Sequence, residues 1–181
     1  MIDDMKRLIY LLLACAVLLS IFCGCSEKEQ QKEESEKTQI PEDFSFALTW
    51  GVYGSSSYDS KTGKLVKTKD ATNPEDYVTY LELPEETLED IYEMIRKLKP
   101  DSYPDEYDPD PNRSSDPSAD LILTVRVGDS VKTIEAKEVS LSYETWSIKG
   151  KRYIKTCRAI SEILTATEEW KALPDYEFYY N

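Results

Sequence analysis

Beyond residue 25 the chain holds a single cysteine, Cys157, so no disulfide can form within a domain built there. An apolar core alone must hold that domain together, and the apolar residues must recur with the period of the elements that carry them. Phe44, Phe46, Leu48, Trp50 and Val52 alternate with Ser45, Ala47, Thr49 and Gly51, which is the clearest strand. Turn chemistry at Tyr58 to Lys64 leads to a return strand around Leu65 to Lys69, and a third strand is expected at Tyr77 to Leu83. Pro84, Glu85 and Glu86 start a helix whose stripe is Leu88, Ile91, Tyr92, Ile95 and Leu98, stopped by Pro100. Leu121 to Val127 and Val131 to Val139 form a hairpin around Gly128 and Asp129. Residues 140–148 add an edge strand containing Trp146, and a second helix runs from about Lys151 to Trp170. Tyr153, Cys157, Ile160 and Leu164 recur at helical spacing, so Cys157 faces inward as a small hydrophobe. The pattern is α+β: an antiparallel sheet of about five to six strands with two helices on one face, in the order βββ-α-ββ(β)-α.

At the N-terminus, Lys6 and Arg7 precede an apolar run from Leu8 to Phe22. That run is shorter than the roughly 20 residues a membrane span needs, and it fits the apolar region of a secretory signal. Asp3 and Asp4 are out of place before such a region, so translation is expected to begin at Met5. The run ends in Phe22-Cys23-Gly24-Cys25-Ser26, which resembles the lipobox of bacterial lipoproteins. The resemblance implies a signal peptide at 1–24, cleavage after Gly24, acylation of Cys25 with palmitate-type chains, and an extracytoplasmic protein lipid-anchored to a bacterial membrane. Two alternatives stay open. Leu12-Leu13-Ala14-Cys15 also fits the lipobox but would leave an apolar stub, and an uncleaved anchor helix would leave the domain on the same side of the membrane. Residues 25–42 read as a lipidated cysteine and a solvated acidic tether, rich in Glu, Gln, Lys and Ser. Residues 43–181 then make one domain.

Charge narrows the partners. The formal net charge is −13, and residues 26–43 hold seven acids against three lysines, while the loop 101–120 holds seven acids against Arg113. Nucleic acid is excluded, and so are anionic lipid headgroups, because a polyanion needs clustered cations to release its counterions. Partners are then the membrane through the N-terminal lipid, and a protein or glycan of the envelope.

The chemistry-bearing residues are sparse. Histidine is absent, which removes Ser-His-Asp and Cys-His arrangements and histidine metal sites. Gly51 to Ser57 has the glycines of a phosphate loop without its lysine or following helix, and reads as a strand end and turn. Asp108, Asp110, Asn112 and Asp116 follow the alternation of a calcium loop, but Arg113 stands where glycine should turn and Ala119 where a glutamate should close the shell. A solvated acidic loop is the plainer reading. Tyr53 and Tyr58, and Tyr103 and Tyr107, are a candidate binding surface, because a tyrosine ring stacks on sugars or anchors a protein partner while its hydroxyl stays wet. Phe178, Tyr179 and Tyr180 read as a docked tail. No cofactor is implied.

Leu88 to Tyr180 resembles a family of small bacterial secreted proteins and lipoproteins of uncharacterised function. The features that carry it are the amphipathic helix, the Tyr-Pro-Asp-rich loop, the hairpin, and a last helix ending in Glu169-Trp170-Lys171-Ala172-Leu173-Pro174 before an aromatic tail. The resemblance implies a fold and a cell-surface setting, and no catalytic residues. Two functions are expected: a tethered, non-catalytic binding domain, or a carboxylate-dependent hydrolase acting on envelope glycan or peptide.

Overall fold

A computed structural model describes residues 39–68 and 76–175. The signal segment, Cys25, the tether as far as residue 38 and the aromatic tail from Tyr176 lie outside the described residues. Six antiparallel strands form one open sheet: β1 Ser45–Trp50, β2 Ser56–Asp59, β3 Lys64–Thr68, β4 Asp76–Tyr80, β5 Ser118–Val127 and β6 Ser130–Ser140. Their order is β4-β3-β2-β1-β5-β6. The chain meanders outward from β1 to β4, and helix α1, Glu85–Leu98, carries it back so that β5 pairs with the other side of β1. Helix α2 spans Ile148–Thr165 and a one-turn helix α3 spans Glu168–Lys171.

Period two decides which face is covered. Phe46 and Leu48 of β1, Tyr58 of β2, Leu65 of β3, Leu121 and Leu123 of β5 and Ile134 of β6 lie on one face and are buried. Ile91, Ile95 and Leu98 of α1 and Tyr153, Cys157, Ile160 and Leu164 of α2 complete this core. The opposite face carries Ala47, Thr49, Ser57, Val66, Ile122 and Thr124, half-buried by one another, with Arg126 paired to Asp59 at 3.1 Å. The α+β architecture with helices on one face is therefore as the pattern predicts.

Three expectations need correction. The partner of β1 in its first hairpin is β2, which the polar sequence Ser56-Ser57-Tyr58-Asp59 conceals, and the strand at Leu65 pairs with β2 instead. Ser56 and Tyr58 are buried, and the Tyr58 hydroxyl donates to the Leu81 carbonyl at 3.1 Å, so the strand's polar groups are satisfied. No edge strand forms over 140–148. The second helix begins at Ile148 and breaks at Ala166, where Thr167 caps α3 by accepting from the Trp170 amide at 3.3 Å. Trp170 then packs on Trp50, ring centroids 5.6 Å apart, and covers the ammonium of Lys67 at 5.3 Å.

The loop 101–120 is less solvated than its composition predicts. Asp105 to Tyr107 runs beside β6, with the Glu135 amide donating to the Asp105 carbonyl at 2.6 Å and the Tyr107 amide to the Glu135 carbonyl at 2.9 Å. It thereby shields part of an exposed sheet edge, which would otherwise invite pairing with another chain. Among the described residues, no helix is long and apolar enough to cross a membrane.

Cys157 is fully buried in α2, and burial pushes its thiol up to about 12. Because the thiolate is the reactive form, folded protein should react with a thiol reagent only as fast as it opens. Labelling followed by mass spectrometry checks this: the folded rate should match the unfolding rate, whereas immediate labelling would mean that the thiol is reachable in the native state.

Candidate binding surface

Of the four tyrosines expected to form a binding surface, the structure puts two in the core. Tyr58 and Tyr103 are 2% and 3% exposed, because their rings fill the covered side while their hydroxyls reach the carbonyls of Leu81 and Lys149. Tyr107 packs edge-on against Tyr103 and Tyr153, at centroid distances of 5.0 and 5.5 Å, and burial raises the pKa of all three phenols. Tyr53 alone of the four is exposed, at 48%, and its hydroxyl donates to Asp116 Oδ1 at 2.6 Å. The four do not form one surface.

The calcium-like residues are engaged in holding the loop. Asp108 Oδ1 accepts from the Asp110 amide at 2.9 Å, and Asp110 Oδ1 accepts from the Asn112 amide at 3.2 Å, two successive local turns. Asp110 Oδ2 is buried with no hydrogen-bond donor, its nearest cation being Arg113 Nε at 3.7 Å. Asp116 is occupied by Tyr53. Among the described residues, no three acid or cysteine side chains gather as metal ligands would.

The surface that does stand out is one the sequence reading placed in a strand. Residues 141–147 turn away from the end of β6, with Tyr143 at φ 54°, and present Trp146 to solvent at 81% exposure, beside Ile148 at the start of α2 at 79%. The loop is pinned at each step. Thr145 is buried, and its hydroxyl donates to the Pro109 carbonyl at 2.6 Å while accepting from the Ser147 amide at 3.1 Å. Ser147 caps α2 by accepting from the Gly150 amide at 3.1 Å. Arg113 bonds Glu144 at 2.8 Å and lies over the Trp146 ring, 5.9 Å from its centroid. Arg158 similarly covers Tyr143 at 5.2 Å, whose phenol burial pushes up and this guanidinium pulls down. Between them lies a shallow groove of about 370 Å³, lined by Arg113, Tyr143, Glu144, Thr145, Trp146 and Lys151. An exposed indole beside two guanidinium groups and an ammonium gives this surface the chemistry of a binding site.

Several carboxylates also line a separate open groove between the loop and β6, among them Glu106, Asp108, Glu135 and Glu138. There Lys137 holds Glu135 at 2.8 Å. No family model matches this chain, and no curated protein matches it.

Proposed function

We propose that the chain is a lipid-anchored extracytoplasmic bacterial protein whose domain is a non-catalytic binding module, and that it contacts an envelope component through the Trp146 surface. The observation that carries this reading is a tryptophan 81% exposed on a loop held by the buried Thr145 hydroxyl, which bonds Pro109 and Ser147. Water is a poor environment for an indole, and a pinned loop loses little freedom on association, so most of the contact energy is retained. Tryptophan, tyrosine and arginine, here Trp146, Tyr143 and Arg113, are also the residues that dominate measured binding hot spots.

Site-specific photo-crosslinking tests it. A photoreactive phenylalanine analogue replacing Trp146 in the full chain, produced in bacteria, should give an adduct with an envelope component on irradiation. The same analogue at Asp129, exposed in the β5–β6 turn, should give none. Equal yields at the two positions would overturn the proposal.

A further inference from the structure

Helix α2 opposes the sign of the chain that contains it. Residues 145–161 hold Lys149, Lys151, Arg152, Lys155 and Arg158 and no acid, within a chain of net charge −13. At 3.6 residues per turn, Ile148, Lys151, Arg152, Lys155 and Arg158 share one stripe, opposite the buried Tyr153, Cys157, Ile160 and Leu164, and all five are exposed. Arg158 reaches Glu162 at 3.5 Å, and among the described residues no carboxylate lies within ion-pair distance of Lys151, Arg152 or Lys155. Lys149 turns to the other side, bonding the Ser102 carbonyl and lying over Tyr103. Cations in the first turns oppose the helix dipole, and like charges three or four residues apart repel. Apart from the Arg158–Glu162 pair, no carboxylate of the described residues offsets this cost along the stripe.

Trp146 and Ile148 project where the stripe begins. A cationic stripe alone would suit any polyanion, but two protruding apolar side chains also require an apolar layer to enter. A bilayer interface supplies both: headgroup phosphates for lysine and arginine, and the acyl boundary for tryptophan and isoleucine. A phosphate-rich polymer lacks the second. We infer that this surface docks the domain onto an anionic phospholipid bilayer, with Trp146 and Ile148 at the headgroup boundary and Lys151, Arg152, Lys155 and Arg158 over the headgroups. This rests on the binding-module reading above and names its partner. It also reverses the exclusion of anionic headgroups drawn from the acidic segments 26–43 and 101–120, since the near-neutral remainder conceals a local excess of cations. Elsewhere the acidic surface is repelled by the same bilayer, which leaves one favoured orientation.

The test uses the full chain as produced and processed in bacteria, inserted by its N-terminal lipid into vesicles of phosphatidylcholine, with or without phosphatidylglycerol. Trp146 emission is isolated as the difference between the parent and Trp146→Phe, and is quenched by lipids spin-labelled near the headgroup. Quenching with a blue shift in the anionic vesicles alone, relieved by salt, is the expected result. Lys151→Gln with Lys155→Gln should lower the docked-to-undocked ratio about 25-fold, about fivefold for each cation removed. Both positions are exposed, so an unchanged far-ultraviolet spectrum certifies the fold. Equal emission in the two vesicle types would overturn the lipid assignment. If crosslinking at position 146 nonetheless yields a protein or glycan adduct, the lipid assignment falls and the binding module stands; if neither assay responds, both fall.

Discussion

Phe46→Ala is expected to lower folding stability by about 3–5 kcal/mol, the range for deleting a buried phenylalanine. Phe46 is fully buried on β1, the strand flanked by both β2 and β5, and its ring lies 6.3 Å from Phe44 and 5.7 Å from Tyr58. Its backbone is also committed: the amide donates to Ser60 Oγ at 2.8 Å, and the carbonyl accepts from the Ser60 amide at 2.9 Å, so β1 cannot shift to fill the space. With no disulfide to restrain the unfolded chain, this is a large share of the roughly 5–15 kcal/mol a domain possesses. Urea unfolding should show a lowered midpoint with an unchanged slope, and the thermal midpoint should fall by about 10 °C or more. A loss below about 1 kcal/mol would mean that β1 is not at the centre of the core.

Gly150→Ala should destabilise the domain by about 1–3 kcal/mol, reversing the usual helix preference, under which alanine gains about 1 kcal/mol over glycine. The reason is contact: an added Cβ would stand 2.6 Å from the Pro109 carbonyl oxygen and 3.0 Å from Thr145 Cγ2. The first is backbone and the second belongs to the side chain that ties the Trp146 loop to Pro109, so neither can yield without spreading that bond. The substitution should therefore loosen the tip as well as weaken the fold. Hydrogen exchange should accelerate at residues 145–148 more than in β1. A stabilised protein, or faster exchange spread evenly, would contradict the packing described at this crossing.

These two positions mark what the sequence made legible. Phe46 belongs to a strict alternation, so strand, face and burial follow from period two, and the same holds for Leu121, Leu123 and Ile134. β2 was hidden because its covered face is made by Ser56 and Tyr58, and the Tyr58 hydroxyl finds its partner, the Leu81 carbonyl, only once the β4–α1 connection is in place. The tyrosine surface failed for the opposite reason: Tyr58 and Tyr103 satisfy their hydroxyls on distant carbonyls, and no local pattern reveals that. The Trp146 tip was within reach. Ser147 followed by Ile148, Lys149 and Gly150 is a serviceable helix cap, and starting α2 there leaves Trp146 in a loop. The run of cations from Lys149 to Arg158 was equally visible, but summing the charge of everything outside the two acidic segments dissolved it.

The proposed role depends on the domain being held at a membrane by its N-terminus. Mass spectrometry of the N-terminal peptide, taken from full chain produced in a bacterium, measures this directly. The mature peptide is predicted to begin at Cys25 and to carry a diacylglyceryl group on that residue's sulfur. A product that keeps residues 1–24, with an unmodified Cys25 thiol and in the cytosolic fraction, would contradict it.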